Sequence, residues 1–417
     1  MVDELAEAPE VPAVVDQLEV GERRTVSQPV HEGPEGHDDP VSTPARLPLP
    51  GLRRGSRRCE QVFGYRWPMA AEAGALRWEV ADAAASQGQE AMFPEVARHT
   101  GRGELRGLEL LHVHARSIIN TLPQSGRLPF RHTINAYRGC SHACSYCFAR
   151  PTHAYLGLDL DEAFERQIVV KVNAVDLVRA ELRPARWSGE PIAMGTNTDP
   201  YQRVEGRYHL TRGIIEALSE ARNPFSILTK STLVLRDIDV LAEAAARTDV
   251  RIAFSIGTLD EAVWRATERG TPHPRQRVAA IARLREAGIP CSVLVAPVLP
   301  GLSDAEDQLD AVVAACVAAG ASSVSPGGVL YLKPGVREVF LGRLRVSHPA
   351  LVERYESLYA GSAYVPKDVQ ERVTAIVRAS IARHRGTAVS FGSHRPPPRP
   401  PVVSSPAIVG HQLGLGL

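Results

Sequence analysis

Residues 138–153 read RGCSHACSYCFARPTH and contain three of the six cysteines of the chain. Cys140, Cys144 and Cys147 have the spacing C-x3-C-x2-C and come directly after the first strand of a region in which strand and helix patterns alternate. Thiolates this close together repel one another unless a metal neutralises them, and a loop allows all three to point inward. Three protein ligands on a four-iron cube leave one iron open, as in catalytic metal sites. The spacing therefore favours an open iron–sulfur cluster.

The residues alone leave other interpretations of this stretch open. A structural zinc site needs a fourth ligand, which His142 or His153 offers, but the common zinc patterns use two cysteine pairs and no second pair occurs here. A cluster used only for electron transfer normally has four cysteines. A chance grouping of core cysteines fits poorly with the polar neighbours Arg138, Gly139, Ser141 and His142.

Outward from this loop, apolar β-branched runs alternate with amphipathic helical patterns. The predicted strands are 133–137, 168–171, 191–195, 225–229, 251–256, 291–297 and 324–332. The predicted helices between them are 173–183, 211–222, 236–247, 274–287 and 304–319. This alternation predicts an α/β fold with a parallel sheet covered by helices. The pattern does not distinguish an open sheet from a full or partial barrel.

Composition changes along the chain predict five segments. Proline- and glycine-rich stretches without periodicity mark both ends, and further helical patterns at about 336–344, 349–360 and 367–384 follow the alternating region. The predicted segments are a disordered tail (1–58), a partly ordered N-terminal extension (59–130), a core (131–345), C-terminal helices (346–386) and a second disordered tail (387–417).

The overall composition is typical of a cytoplasmic globular protein. The 417 residues are 44% hydrophobic, and a net charge of +1 gives no global field that attracts nucleic acid or an anionic membrane. No apolar run is long enough to span a membrane, and the acidic N-terminus MVDELAEAPE lacks a secretion-signal pattern. Clustered cysteines in such a chain are better explained as metal ligands than as a disulfide scaffold. We therefore expect a cytoplasmic protein with no membrane partner.

Four stretches in consistent order resemble a known family. They are the cysteine stretch with Tyr146 before its last cysteine, GTNTDPYQRVE (195–205), LTKS (228–231) and VLVAPVLPGLSD (293–304). Together they resemble the radical S-adenosylmethionine enzymes, in particular the spore photoproduct lyase-like, or DNA repair photolyase, branch. The resemblance covers about residues 130–345. It implies a partial (β/α)6 TIM-like barrel whose first strand leads into the loop of a 4Fe–4S cluster, with S-adenosylmethionine across the carboxyl ends of the strands.

The resemblance also implies a reaction. An electron from a flavodoxin- or ferredoxin-like donor enters the cluster, and S-adenosylmethionine is cleaved to methionine and a 5′-deoxyadenosyl radical that abstracts hydrogen from a substrate. The substrate is unknown, and the branch makes nucleic acid a candidate. Photoproduct lyases use a hydrogen-donating cysteine near the end of the second barrel strand. The stretch GTNTD has none, and Cys291 and Cys316 are expected in the core, which argues against photoproduct repair.

Residues that the resemblance assigns to cofactor binding lie at strand ends or in ERGTPHPRQR (268–277). Arg277 is expected to clamp the cofactor carboxylate, and Asp199 to bond a ribose or orient substrate. The structural alternatives are an Asx-turn for Asp199 and a surface position for Lys230 or Arg277. Catalytic residues beyond the cofactor site are not predicted, and Arg138, Arg150 and Arg203 are candidate phosphate ligands. The full cofactor-binding set is Tyr146, Thr196, Thr198, Asp199, Lys230, Ser255, Glu268 and Arg277.

Overall fold

The central strands of the structure are short runs of β-branched and other apolar residues, as strands covered on both faces require. The computed structural model describes residues 78–79, 96–122, 130–183 and 187–384. Its strands are β1 (Trp78–Glu79), β2 (Ala97–Thr100), β3 (Glu109–Ala115), β4 (Ile119–Thr121), β5 (His132–Ile134), β6 (Tyr137–Arg138), β7 (Gln167–Lys171), β8 (Ile192–Met194), β9 (Phe225–Thr229), β10 (Val250–Ser255), β11 (Cys291–Val295) and β12 (Ser323–Pro326).

Amphipathic helices follow most of these strands. They are α1 (Glu162–Arg166), α2 (Ala174–Glu181), α3 (Glu205–Tyr208), α4 (Leu210–Glu220), α5 (Ile238–Arg247), α6 (Glu261–Thr267), α7 (Pro274–Glu286), α8 (Glu306–Ala318), α9 (Val336–Ser347), α10 (Val352–Leu358) and α11 (Lys367–His384). Helix α7 shows how the sequence sets their limits. Pro274 occupies its first turn, the His273 side chain caps its amino end, and Gly288 follows its last residues with a φ of 74°.

The larger sheet of the described residues has the order β12-β11-β10-β9-β8-β5-β4. Every pair from β5 to β12 is parallel, and only β4 runs antiparallel to its neighbour β5. The six parallel strands and their crossover helices form an open (β/α)6 arrangement with β12 at one edge and β4 at the other. This confirms the predicted α/β fold of the partial barrel type. It also places the carboxyl ends of the parallel strands along one rim, where such folds build their sites.

A second, smaller sheet contains β1, β2, β3, β6 and β7. The strand predicted at 168–171 is present as β7, but its assignment to the alternating sheet is wrong. Its backbone pairs in parallel with β3 of the N-terminal extension and antiparallel with β6. The sequence of β7 is apolar enough for either sheet, and the partner strand lies more than 50 residues earlier, so local periodicity did not reveal the difference.

Two predicted strands end more than two residues away from the strands that the structure describes. The strand predicted at 133–137 divides into β5 and β6, because the chain leaves the larger sheet at Asn135 and Ala136 and joins the smaller one. The strand predicted at 324–332 ends at Pro326, where Gly327 and Gly328 turn the chain and Gly328 has a φ of 104°. The segment beyond these glycines forms only an isolated bridge between Val329 and Val298.

The two larger apolar clusters of the described residues hold these layers together. The first fills the space between the parallel strands and helices α2, α4, α5, α7 and α8. The second lies under α9 and α10 and includes Cys144 and Tyr146 of the cysteine stretch, packed with Leu299 and Leu330. The second cluster therefore ties the cysteine stretch to the C-terminal helices by burial of apolar surface.

Parts of the predicted organisation fall outside the described residues. The predicted tails at 1–58 and 387–417 lie there entirely, as does most of the predicted extension at 59–130. Helices α9, α10 and α11 correspond to the helical patterns predicted near 336–344, 349–360 and 367–384. Among the helices that the structure describes, none combines the length and the apolar character needed to cross a membrane.

Candidate functional site: a cofactor site on the cysteine loop

The cysteine loop, residues 138–150, leaves the carboxyl end of β5 and passes through β6. Gly139 opens it with a φ of 81°, a conformation that favours glycine. A Cβ atom at Gly139 would lie 2.9 Å from Cε1 of His153 and 3.0 Å from the carbonyl oxygen of Phe164. The amide of Cys140 then donates to that same Phe164 carbonyl at 2.9 Å. The close approach of residues 153–164 therefore sets the start of the loop.

The three cysteine side chains are buried or half-buried and lie close enough to interact electrostatically. Burial raises the pKa of the Cys144 thiol, and the nearby Glu268 carboxylate raises it further. Burial and the neighbouring Cys140 raise the pKa of Cys147 to about 11. Thiols in such surroundings stay protonated unless a metal stabilises the thiolates. The donor set, three gathered soft sulfur ligands, fits an iron–sulfur cluster.

The single-ion alternative has no support in this geometry. Within the part of the chain that the structure describes, no group of three or more His, Cys, Asp and Glu side chains is arranged to hold one metal ion. Each candidate fourth ligand has one ring nitrogen engaged by the protein: His142 Nδ1 lies 3.3 Å from Asp199 Oδ2, and His153 Nε2 lies 3.0 Å from the Gln167 carbonyl oxygen. A four-iron cluster does not need its ligands to converge on one point, because each thiolate binds a different iron.

The buried side chain of Arg150 holds the cysteine loop by hydrogen bonds. Its side chain is fully buried and donates to the carbonyl oxygens of Cys144 at 2.8 Å, Leu160 at 2.9 Å and Asp161 at 3.0 Å, and it also pairs with the Glu165 carboxylate. Every arm of the guanidinium thus has a protein acceptor. The expectation that Arg150 binds phosphate is corrected accordingly, because it is an internal support of the cysteine loop.

A turn after helix α6 supports the loop from the other side. The Ser145 amide donates to the Thr267 carbonyl at 2.8 Å, and the Gly270 amide donates to the His142 carbonyl at 3.0 Å. A Cβ atom at Gly270 would lie 2.4 Å from the Ser141 carbonyl oxygen, so only glycine allows this approach. These contacts place Glu268, which lies within the turn, directly beside the loop.

Asp199 joins two strand ends to the cysteine loop. Its carboxylate accepts from the Thr229 hydroxyl at 2.7 Å, from the Lys230 amide at 2.7 Å and from the Tyr201 amide at 2.9 Å, and it pairs with His142. Burial raises the pKa of Asp199, but His142 and the hydrogen-bond donors outweigh burial and hold that pKa below its usual range. The Tyr201 contact is the Asx-turn that the sequence suggested as an alternative.

Thr198 and Gln202 fasten the first part of the loop. The Thr198 hydroxyl donates to the Gly139 carbonyl oxygen at 2.6 Å, and Gln202 Nε2 donates to the same oxygen at 3.0 Å. Gln202 Oε1 accepts from the Ser141 amide at 2.8 Å. Thr196 lies further out, where its hydroxyl accepts a long bond of 3.4 Å from the Asn135 side chain.

Glu268 is the acceptor at the centre of a charged network on the opposite side of the loop. Its carboxylate accepts from Lys230 Nζ at 2.8 Å and also from the Tyr146 hydroxyl and the Arg277 guanidinium. Burial raises the pKa of Glu268, but Arg277 and Lys230 outweigh burial and hold that pKa far below its usual range. The side chain is 4% exposed, so this cluster of charges is shielded from water.

Lys230 connects Glu268 to the neighbouring strands. Its ammonium donates to Ser255 Oγ at 2.9 Å and lies 5.7 Å from the centre of the Tyr146 ring. Ser255 in turn donates to the Ala296 carbonyl at 2.7 Å, which joins the ends of β10 and β11. Lys230 is therefore part of a buried polar network at the carboxyl rim, and not a charge on the surface.

Arg277 is fully buried on the inner side of helix α7. Its guanidinium donates to the Ser255 carbonyl at 3.0 Å, the Pro272 carbonyl at 3.0 Å, the Thr271 hydroxyl and the Glu268 carboxylate. The surface alternative for Arg277 is therefore wrong. The clamp on a cofactor carboxylate stays a prediction, and all three guanidinium nitrogens of Arg277 already have protein acceptors.

The structure divides the predicted site residues into groups. Five of them form one hydrogen-bonded network: Tyr146, Lys230, Ser255, Glu268 and Arg277. Thr198 and Asp199 contact the loop near its first cysteine, and Thr196 stands apart. The role of each as a cofactor ligand stays a prediction.

Sequence reasoning missed several supports of the site. Gln202 lies inside the motif GTNTDPYQRVE, which the sequence analysis had already singled out, so its place in that motif was the available signal. His142 was considered only as a metal ligand, and its partner Asp199 lies 57 residues away in the sequence. Contacts at this separation depend on the sheet order, which no local pattern contains.

Known proteins match both the fold and the cysteine region. The family model described as the radical SAM superfamily matches residues 134–311. An uncharacterized protein of Mycobacterium tuberculosis is 46% identical over 292 residues, which are 70% of this chain and 84% of the relative. A radical SAM Nalpha-GlyT isomerase of Pseudomonas phage M6 is 28% identical over 169 residues, which are 40% of this chain and 33% of the isomerase.

Among solved structures, spore photoproduct lyase complexed with dinucleoside spore photoproduct has a TM-score of 0.52 at 18% identity, covering 67% of this chain and 80% of the lyase. This likeness confirms the lyase-like fold. The chain belongs to the radical SAM superfamily of enzymes. Membership implies an iron–sulfur cluster and S-adenosylmethionine as cofactors.

Proposed function

We propose that this protein binds a 4Fe–4S cluster through Cys140, Cys144 and Cys147 and cleaves S-adenosylmethionine reductively. The observation that carries the proposal is the position of three neighbouring cysteine side chains, none in a disulfide, directly beside a buried polar network at the carboxyl rim of the parallel sheet. When bound and reduced, the cluster supplies the electron that converts S-adenosylmethionine to methionine and a 5′-deoxyadenosyl radical, which abstracts hydrogen from the substrate.

The chain's own part is to bind, orient and exclude water. Three cysteine ligands would leave one iron of the cluster without a protein ligand and therefore open to S-adenosylmethionine. Lys230 and Ser255 carry the polar groups proposed to face the cofactor, with Tyr146 beside them. Thr196 has an outer hydroxyl with one long hydrogen bond and is proposed to contact the cofactor at the rim. A buried network strengthens each electrostatic contact, because burial keeps bulk water away from the charges.

Thr198, Asp199 and Glu268 are proposed to serve the cofactor mainly by holding the loop. Their acceptors and donors already contact Gly139, His142 and Tyr146 of that loop. A carboxylate has about four lone-pair sites, and Asp199 uses four of them on Thr229, Lys230, Tyr201 and His142. A ribose hydroxyl of S-adenosylmethionine would therefore need an acceptor other than Asp199.

The substrate and the electron donor are proposed only by class. A flavodoxin- or ferredoxin-like protein is the proposed reductant, and the cytoplasm, where thiols stay reduced, is the proposed compartment. Nucleic acid is the first substrate class to test, because spore photoproduct lyase has the same fold with a dinucleoside bound. Within the described residues Cys291 and Cys316 are buried at 2% and 0% exposure, so neither offers the hydrogen-donating thiol of a photoproduct lyase.

The test is anaerobic reconstitution with iron and sulfide, followed by dithionite and S-adenosylmethionine. We expect an absorption band at about 400 nm and release of 5′-deoxyadenosine. Both signals should be lost in Cys140→Ala, Cys144→Ala and Cys147→Ala. Cys316→Ala, which removes a core thiol, is the matched control and retains both signals. A colourless zinc protein would overturn the proposal, and a coloured protein without product would indicate electron transfer instead.

A further inference from the structure

Arg277 has an unusual position for a residue expected to contact a cofactor. It is 0% exposed and makes hydrogen bonds with all three guanidinium nitrogens to groups of the protein. Two of its acceptors, the carbonyl oxygens of Ser255 and Pro272, are fixed by a strand end and by the turn before helix α7. Such a guanidinium cannot turn toward a ligand without leaving these buried carbonyls unpaired, which is costly.

The charged partner of Arg277 is Glu268, which is itself the hub of the network. One carboxylate oxygen of Glu268 faces Arg277 and Thr271, and the other accepts from Lys230 and Tyr146. Arg277 therefore sets the orientation of the carboxylate, and the carboxylate sets the positions of the Lys230 ammonium and the Tyr146 ring. Of the contacts of Arg277, the one with Glu268 is the ion pair, and it leads directly to Lys230 and Tyr146 beside the cysteine loop.

We infer that Arg277 is a positioning residue that acts on the cofactor site through Glu268, and not a direct clamp on the cofactor carboxylate. This inference rests on the proposed function, since it concerns the site proposed for S-adenosylmethionine. The direct contacts with the cofactor then fall to groups on the far side of Glu268, first of all Lys230. Residues that hydrogen-bond to a metal ligand and orient it typically change metal affinity or activity about 10- to 100-fold when they are removed, and we expect a loss of the same order here.

A double-mutant cycle separates the two roles. The dissociation constant of S-adenosylmethionine is measured by equilibrium dialysis on anaerobically reconstituted, oxidised protein: wild type, Glu268→Gln, Arg277→Gln and the double variant. We expect each single variant to weaken binding about 10- to 100-fold. The double variant should bind within about twofold of the weaker single variant, because Arg277 has nothing to orient once Glu268 is neutral.

Fold and cluster content are checked in the same samples. Arg275→Gln changes an exposed arginine two residues earlier on helix α7 and should bind S-adenosylmethionine as wild type does. Iron content and thermal unfolding report loss of cluster or fold. If Arg277→Gln does not fold, Arg277→Lys replaces it in the cycle, because lysine retains the cation and removes the planar fork.

The outcomes are distinct. If the affinity losses of the two single variants multiply in the double variant, Arg277 and Glu268 make independent contacts and the inference is overturned. Unchanged binding in Arg277→Gln would also overturn it. Non-multiplying losses with normal iron content support it. Wild-type protein that carries its cluster and does not bind S-adenosylmethionine would overturn the proposed function and this inference with it, whereas a multiplying cycle on a binding wild type overturns the inference alone.

Discussion

The two ends of the cysteine loop are held by different kinds of interaction. At the Cys140 end, the Thr198 hydroxyl and the Gln202 amide group donate to the Gly139 carbonyl, and Gln202 also accepts from the Ser141 amide. One ion pair, between His142 and the Asp199 carboxylate, adds to these hydrogen bonds. The end with Cys144 and Cys147 is fastened by buried cations, because Arg150 binds the Cys144 carbonyl and Glu268 is neutralised by Lys230 and Arg277.

The difference follows from what each end must do. The Cys140 end only needs a fixed backbone, which directed hydrogen bonds provide at about 1 kcal/mol each. The Cys144 end lies beside the network proposed to receive a charged cofactor, where fixed charges in a water-free site act most strongly. Buried charges are costly when they lose a partner, so substitutions at the two ends should differ in size.

The largest effect is expected from Arg150→Met. This change leaves the Glu165 carboxylate and the carbonyl oxygens of Cys144, Leu160 and Asp161 without their buried donor. Removing one partner of a buried ion pair costs about 3–5 kcal/mol, and we expect the lower part of this range because Arg343 also contacts Glu165 at 2.6 Å. Urea unfolding of the metal-free protein measures the loss.

A matched control for Arg150→Met is Arg166→Met, which changes an arginine with 62% exposure that is paired with Glu162. Its free energy of unfolding should stay within about 0.5 kcal/mol of wild type. Equal losses in the two variants would contradict the idea that buried charge holds this end of the loop.

Gln202→Leu tests the other end and should have a smaller effect. It leaves the buried Ser141 amide without its acceptor, while the Gly139 carbonyl keeps the Thr198 hydroxyl. Loss of a buried neutral hydrogen bond costs about 1–3 kcal/mol. The same urea titration applies, with Arg203→Gln on the exposed neighbour as control. A loss as large as that of Arg150→Met would mean that the two ends do not differ in kind.

The alternation of strands and helices predicted the fold from the sequence because each unit carries its own periodicity and turn residues. Strand β9 and helix α7 were predicted to within a residue or two for this reason. Strand β7 was assigned to the wrong sheet, since its apolar residues satisfy either partner and only the distant β3 decides between them.

The same limit applies to the site. The cysteine spacing is a local signal and identified the proposed ligands directly. Arg277 was expected to face a ligand, because a sequence does not show that Ser255, Pro272 and Glu268 converge on its guanidinium. Contacts between secondary-structure elements decide which side chains can bind a ligand and which hold other side chains in position. Those contacts form only in the folded chain.

The smallest of the expected effects is a difference between Asp199 and Glu268 in how strongly each makes the free energy of unfolding depend on pH. Asp199 and Glu268 both have pKa values below their usual range in the folded chain, so each contributes stability above about pH 4, where the unfolded carboxyl groups are also ionised. That contribution is lost as the pH falls through the folded pKa. Protonation of Asp199 removes its attraction to one cation, His142, and leaves the hydrogen bonds from amide and hydroxyl donors, whereas protonation of Glu268 removes its attraction to two cations, Lys230 and Arg277.

We therefore expect Glu268→Gln to flatten the pH dependence of stability more than Asp199→Asn does. The urea midpoint of the metal-free protein is measured between pH 7 and about pH 3 for wild type and both variants. Comparing slopes, and not stabilities at one pH, removes the constant cost of each substitution. If Asp199→Asn flattens the curve as much as Glu268→Gln, then His142 carries as much charge interaction as Lys230 and Arg277 together. The distinction between a hydrogen-bonded end and a charged end of the loop would then have to be abandoned.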